Sequence, residues 1–152
     1  MRRSLLVVLL LLLAVPALVG CVPTPPGVGF ARKTVREQHN QKRAKYGVAP
    51  LTKSKAANHN AQIAANRISG ESGYGGCNLN HTSGFQLIAW YNARVAENIA
   101  CIVGCIDSGG AFKAFWHSPA HRSNMLDGGF RWIGIGVQCN GPMSFFAIHY
   151  IS

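Results

Sequence analysis

The chain has 152 residues, a mass of 16.3 kDa, 48% hydrophobic side chains and a formal charge of +10 at pH 7. That is enough for one domain and too little for two. The apolar fraction, with only 13% charged residues, excludes a disordered chain, and a single long apolar run excludes a bundle of membrane spans. Both headline figures are local. Residues 1–20 hold 8 of the 12 leucines, so the positive mean hydropathy belongs to the N-terminus. Eight of the basic residues lie between Arg32 and Lys55, opposed only by Glu37, which makes that segment +7.

Met1-Arg2-Arg3-Ser4 followed by Leu5 to Val19 has the charged and apolar regions of a secretory signal, too short and wrongly flanked for a span. The run ends in Leu18-Val19-Gly20-Cys21, which is similar to a bacterial lipobox. Residues 1–20 are therefore read as a lipoprotein signal peptide, and Cys21 as an acylated cysteine anchoring the protein to a membrane on its extracytoplasmic side. Residues 21–30, with three prolines and two glycines after the cysteine's valine, read as a tether. Setting Cys21 aside leaves Cys77, Cys101, Cys105 and Cys139, an even set for an oxidising compartment. Three pairings are open and spacing does not choose among them. Export and the loose Cys101-x-x-x-Cys105 spacing favour disulfides over a zinc knuckle.

From Ala31 to Gly47 the pattern is helical with a glycine stop, Val35, His39 and Tyr46 sharing one stripe and Arg32, Arg36 and Arg43 forming a basic ridge beside it. Thr52 caps a second helix to Ser69, whose Ala57, Ala61, Ala64 and Ile68 imply close packing. Residues 70–84 read as a long loop that a Cys77 disulfide would staple. Phe85 to Tyr91 is helical, Val95 to Ile99 a strand interrupted by Glu97 and Asn98, and Gly109 to Trp116 helical again. Ser118-Pro119 opens a short helix to Leu126 as an N-cap and first-turn proline. Trp132 to Cys139 and Ser144 to Ile151 are strands around an Asn140-Gly141-Pro142 turn. Helices mixed with late strands give an α/β sandwich.

Chemistry narrows to His81, Glu97, His117, His121 and His149, because histidine and carboxylate are what titrate or ligate here. Glu97 sits in an apolar strand and needs a partner, for which a histidine is the obvious choice. His117 and His121 are split by the new helix at Pro119 and do not share a face. Two histidines and a carboxylate from separate segments suit a divalent metal with open positions, or form a buried polar cluster that braces a loop. His59 and His149 read as ordinary residues, one on a polar helix face and one in the terminal strand. No Gly-x-Ser-x-Gly elbow is present, and serines near histidines in sequence do not make a dyad.

These segments together resemble the CAP superfamily, also called SCP-like, the group of cysteine-rich secretory, antigen 5 and pathogenesis-related proteins, and in particular its compact bacterial branch. The resemblance runs from Ala31 to Ile151. It rests on His39-Asn40-Gln41-Lys42-Arg43 with Tyr46-Gly47-Val48-Ala49-Pro50-Leu51, on His81-Thr82, on Ala96-Glu97-Asn98-Ile99-Ala100 and on Ser118-Pro119-Ala120-His121-Arg122-Ser123-Asn124-Met125-Leu126. Phe130 to Val137 completes it. It implies an α-β-α three-layer sandwich over residues 31–152, with a central cavity of two histidines and, in many members, two glutamates; some members bind a divalent metal there. His81, Glu97 and His121 match three of those positions, and Ser118 takes the fourth, so the second carboxylate is missing. Phe115 stands where a tryptophan is expected, with Trp116 one place on, and Ala96 replaces a glycine.

Activities in the family diverge, and fold does not choose among them. The leading expectation is a non-catalytic, envelope-anchored monomer that binds a small, lipidic or envelope ligand, with His81 and His121 able to hold zinc or another divalent ion. The rivals are a metal-dependent hydrolase using Glu97 as general base and a purely structural interaction module. The ridge of Arg32, Arg36 and Arg43 is expected to face anionic lipid or a cell-wall polymer, since it begins close to the anchor. Nucleic acid is disfavoured, because the chain is read as exported and the basic segment lacks interleaved aromatics.

Overall fold

The structure, a computed structural model, describes residues 27–152; the leader, Cys21 and most of the tether lie outside the described residues. In chain order the elements are α1 (Val28–Lys45), β1 (Thr52–Lys53), α2 (Lys55–Ser72), α3 (Gly84–Tyr91), β2 (Val95–Val103), α4 (Ser108–His117), α5 (Pro119–Leu126), β3 (Trp132–Asn140) and β4 (Met143–Ile151). The sheet order is β1-β3-β4-β2, parallel between β1 and β3 and antiparallel elsewhere. No helix among the described residues is long and apolar enough to cross a membrane.

Strand alternation separates the two faces of the sheet. Ile133, Ile135 and Val137 of β3 and Phe146, Ile148 and Tyr150 of β4 pack with Val28, Ala31 and Val35 of α1 and with Ala111, Phe112, Phe115 and Met125 of α4 and α5. On the other face Phe145 and Ala147 of β4 and Ile99 of β2 meet Ala64, Ala65 and Ile68 of α2. The result is the α-β-α sandwich that the resemblance implied. Both cores and both disulfides lie within residues 27–152.

The alanine-rich α2 sits directly on β3. A Cβ on Gly134 would collide with the Ala57 carbonyl and one on Gly136 with the Ala61 carbonyl. Beyond the two-residue β1, β3 would be an open edge with unpaired backbone groups. Side chains close it: Ile135 N–H donates to Asn58 Oδ1 at 2.8 Å, and Val137 exchanges bonds with the Gln62 amide at 3.1 and 2.8 Å. Arg32 completes the edge, donating from Nε to the Ile135 carbonyl at 2.7 Å and from Nη2 to Gln62 Oε1 at 2.8 Å.

Several boundaries move for local reasons. Helix α1 begins at Val28, not Ala31, because Gly27 at φ 89 lets the chain turn in and Val28 is buried, so the end of the expected tether is helical. Thr52 is not a cap; it pairs with Trp132 in β1, and Ser54 Oγ caps α2 by accepting from the Ala57 amide at 3.1 Å. That helix passes Gly70 and stops at Gly73, φ 68. Strand β2 continues to Val103 because β4 pairs with its whole length.

The basic ridge is overturned at Arg43. This side chain is fully buried and donates to four carbonyls, those of Ala49 at 2.6 Å, Met125 at 2.8 Å, Asp127 at 3.0 Å and Phe130 at 3.1 Å. The guanidinium fork suits this role, satisfying carbonyls on three different segments at once. Tyr46, which shares a helical stripe with buried Val35 and His39, is 56% exposed.

Overpacking of this kind destabilises by about 1–3 kcal/mol or more. Gly136→Ala is therefore expected to lower the unfolding free energy by at least about 2 kcal/mol in urea titrations. Gly128→Ala, whose added Cβ would meet its nearest atom at 4.0 Å, is expected to leave it unchanged. Equal stability of the two variants would refute the close helix-to-sheet contact.

Candidate functional site

Antiparallel pairing of β2 with β4 places Glu97 directly opposite His149, on the face that α2 covers. The Glu97 carboxylate, 2% exposed, is held by four donors. Oε2 accepts from His81 Nδ1 at 2.9 Å and the Thr82 amide at 2.8 Å, and Oε1 from the Thr82 hydroxyl at 2.7 Å and His149 Nε2 at 3.1 Å. Burial pushes its pKa up, but the bonds from His149 and Thr82 outweigh it and hold it at about 2. The carboxylate is ionised and fully occupied.

Each histidine on it has a different outlook. His149 is completely buried, and its Nδ1 accepts from the Tyr91 hydroxyl at 2.6 Å. Burial pushes the Tyr91 phenol well above its ordinary range despite an Asn60 hydrogen bond, so it remains a donor. Trp90 and Tyr91, the last two residues of α3, both lie against the His149 ring. His81 is 55% exposed. With Nδ1 on the carboxylate, its Nε2 is the outward nitrogen.

His121 comes from the first turn of α5 and rests edge-on against Phe115, ring centroids 5.4 Å apart. Burial lowers its pKa, and the nearby charge of His81 lowers it further. The Ser118 hydroxyl is engaged: its Oγ caps α5, 3.5 Å from the His121 amide. Asn98, next to Glu97 on the opposite face, fixes α5 to the sheet. Its Nδ2 donates to the His121 carbonyl and the Tyr150 hydroxyl, each at 3.0 Å, and its Oδ1 accepts from Asn124 at 2.8 Å. Tyr150 in turn pairs with His39 Nε2 at 2.8 Å, and burial, the main cause, pushes His39 down to about 4.

The structure thus joins His81 to Glu97, places His121 within reach of the His81 charge, and adds His149 and Tyr91. The reading of His149 as an ordinary strand residue is corrected, since it supplies one of the four donors to Glu97. Two lone polar residues in two apolar strands, each needing a partner, were the signal that could have paired them. Among the described residues no three His, Cys, Asp or Glu side chains are grouped as metal ligands. His117 and His59 stay exposed, away from the cluster's hydrogen bonds. The loop before His81 is stapled as expected, by Cys77–Cys101 with Cα atoms 5.9 Å apart, and Cys105–Cys139 closes the second bridge at 5.4 Å. Cys101 and Cys105 belong to different bridges, which removes the zinc-knuckle alternative.

Acid should release the cluster. The folded pKa of Glu97 is depressed from 4.5 to about 2, so its stabilisation is present above pH 4.5 and disappears as pH falls toward 2. His39, depressed from 6.5 to about 4, gives the same sign in the window between those values. Glu97→Gln is expected to destabilise the protein by about 3 kcal/mol at neutral pH, because an amide cannot accept all four donors. In denaturant titrations the gap between wild type and variant should close between pH 4.5 and 2. A gap independent of pH in that window would contradict the ionised, bonded carboxylate.

Comparison with known proteins places the fold. Residues 36–151 match the family model CAP, described as the cysteine-rich secretory protein family. No curated protein matches at a significant level. Among solved structures, an extracellular SCP-domain protein of Bacillus anthracis is similar with a TM-score of 0.67 and 19% identity, over 85% of this chain and 44% of that one. The chain therefore spans less than half of that protein. An outer surface protein of Borrelia burgdorferi is similar with a TM-score of 0.64 and 16% identity, over 79% of this chain and 90% of that one. The protein named NaASP2, crystallised with Zn2+, is similar with a TM-score of 0.65 and 14% identity, over 84% and 83% of the respective chains. At these identities the likeness is one of fold, and with the family model matching most of the chain, residues 36–151, the chain belongs to the CAP family of cysteine-rich secretory proteins.

Proposed function

We propose that this protein is exported and held at the cell envelope by acylated Cys21, and that its CAP domain binds a partner rather than converting one. In this reading His81 and His121 form a divalent-metal site within the binding cleft. The observation that carries it is the saturation of Glu97 by four hydrogen-bond donors. A carboxylate so occupied is neither a metal ligand nor a general base, because taking a proton from water would break its bonds to Thr82 and His149. It is instead the partner that orients a ligating ring, holding Nδ1 so that Nε2 is presented outward, as carboxylates do behind metal-bound histidines. The lowered pKa of His121 keeps that ring unprotonated and able to ligate at neutral pH.

Three neighbours of the same fold support the setting and the metal: the Bacillus and Borrelia proteins are described as extracellular and outer-surface proteins, and NaASP2 was crystallised with zinc. Phe85 and Ile88, 86% and 59% exposed on the helix that follows His81, favour a ligand with an apolar part. The hydrolase alternative loses its base in Glu97.

Calorimetric titration of the chain from Val22 with zinc should show one site per molecule. His81→Ala and His121→Ala should each abolish it, and both variants should retain the wild-type near-ultraviolet spectrum. Wild type without zinc binding, or binding that survives both substitutions, would remove the metal from this reading.

A further inference from the structure

At the opposite edge of the sheet from Glu97, α1 crosses the β1–β3 edge and leaves a cleft of about 340 Å³. Arg32, Lys33, Arg36 and Lys53 line it, over buried Ile133 and Ile135. Four cations around one space repel each other unless carboxylates or an external anion compensate them. The chain has five carboxylates, and four are committed elsewhere: Glu97 is buried, Glu71 pairs with Arg67, Asp127 with Arg94, and Asp107 caps α4. Glu37 remains, facing Lys33 across 3.8 Å with both groups exposed. Among the described residues Arg36 and Lys53 form no ion pair. Arg32 is held in place by its bonds to Ile135 and Gln62, so part of the site is fixed before any ligand arrives.

Two observations identify the anion as one on a membrane. Gly29 lines the cleft and lies eight residues after Cys21, a span of at most about 29 Å. Phe30, the next residue, is 74% exposed. A bilayer accommodates an apolar side chain at the rim of a cationic site, whereas a soluble phosphopolymer leaves it in water. We propose that this cleft seats the anionic headgroup of a phospholipid in the membrane that carries the Cys21 anchor. The proposal rests on the anchored reading given above, with Lys33 and Lys53 taking the place that buried Arg43 held in the sequence-based ridge.

The test uses the chain from Val22, which lacks leader and anchor cysteine but keeps both cores and both disulfides. It is sedimented at low salt with vesicles of phosphatidylcholine alone or mixed with phosphatidylglycerol. Binding is expected only to the mixed vesicles, and each membrane-facing cation contributes about fivefold in affinity. Arg36→Gln/Lys53→Gln should therefore weaken binding about thirtyfold, Phe30→Ala should weaken it further, and His81→Ala should leave it unchanged. Binding absent from wild type, or equal in the double variant, would overturn the proposal. Equal affinity for a soluble polyphosphate with no effect of Phe30→Ala would assign the cleft to a phosphopolymer and overturn the membrane. Anchoring is read separately, from palmitate labelling of the full chain and its loss in Cys21→Ser, so failure of the anchor and failure of the cleft give different results.

Discussion

The candidate site depends on one buried charge. Taking a carboxylate out of water is unfavourable by several kcal/mol unless nearly every lone pair finds a donor, and Glu97 meets that requirement with groups from two separate places. His149 comes from the neighbouring strand and is already in register. His81 and Thr82 come from a loop rich in Gly, Ser and Asn that has little apolar surface of its own to bury. The charge therefore fixes the loop as much as the loop satisfies the charge. Cys77–Cys101 assists from the other end of the same loop; closing a loop of this length in the unfolded chain contributes about 3 kcal/mol. The loop is thus pinned near both its ends to β2, and His81 inherits a defined position although its ring is half in solvent.

Toward the other edge of the same sheet face the limiting constraint is distance. Helix α2 lies so close to β3 that only glycine fits beneath it at 134 and 136. That closeness brings Asn58 and Gln62, four residues apart on one helix face, within reach of the edge of β3. An edge that would otherwise pair with another chain is closed by side chains of the protein itself. Arg32 joins the same network from α1, so one of the conspicuous basic residues is partly structural. Arg43 is wholly so. Its four carbonyl acceptors lie after α1, at the end of α5 and before β3, so one side chain ties three segments together.

Much of this was legible in the sequence where a rule is local. Ser118-Pro119 marked a helix start, the alanine repeat marked close packing, and the Asn140-Gly141-Pro142 turn marked the hairpin, because each depends on residues a few positions apart. Glu97 could be singled out as an acid in need of a partner for the same reason. What could not be read was the identity of partners remote in sequence. Glu97 and His149 are 52 positions apart and meet only through strand register. The basic ridge failed on a related point. Helical periodicity places Arg43 on a face, but whether that face meets water or other backbone is decided by α5 and the loop before β3. The cysteine pairing was open for this reason too, since it follows from where β2 and β3 lie in the sheet.

The hydrogen-bond arrangement also constrains chemistry. A hydrolytic mechanism at this site needs a base that gains a proton as water attacks, and the tuned value for such a group lies near the working pH. Glu97 lies far below it, at about 2, and its neighbours favour the ionised form. Protonating it would leave the Thr82 amide and His149 Nε2–H facing a weaker acceptor in a buried place. The same environment has the opposite effect on His81. A permanently charged carboxylate on Nδ1 selects the tautomer with Nε2 free and makes that nitrogen a better electron-pair donor. A group in the position of Ser118 could have supplied a second carboxylate, but its hydroxyl is engaged in starting α5 and in setting the first turn from which His121 projects. The site is therefore shaped to present the outer nitrogen of His81 toward solvent, with its one acid held behind that ring as a fixed charge.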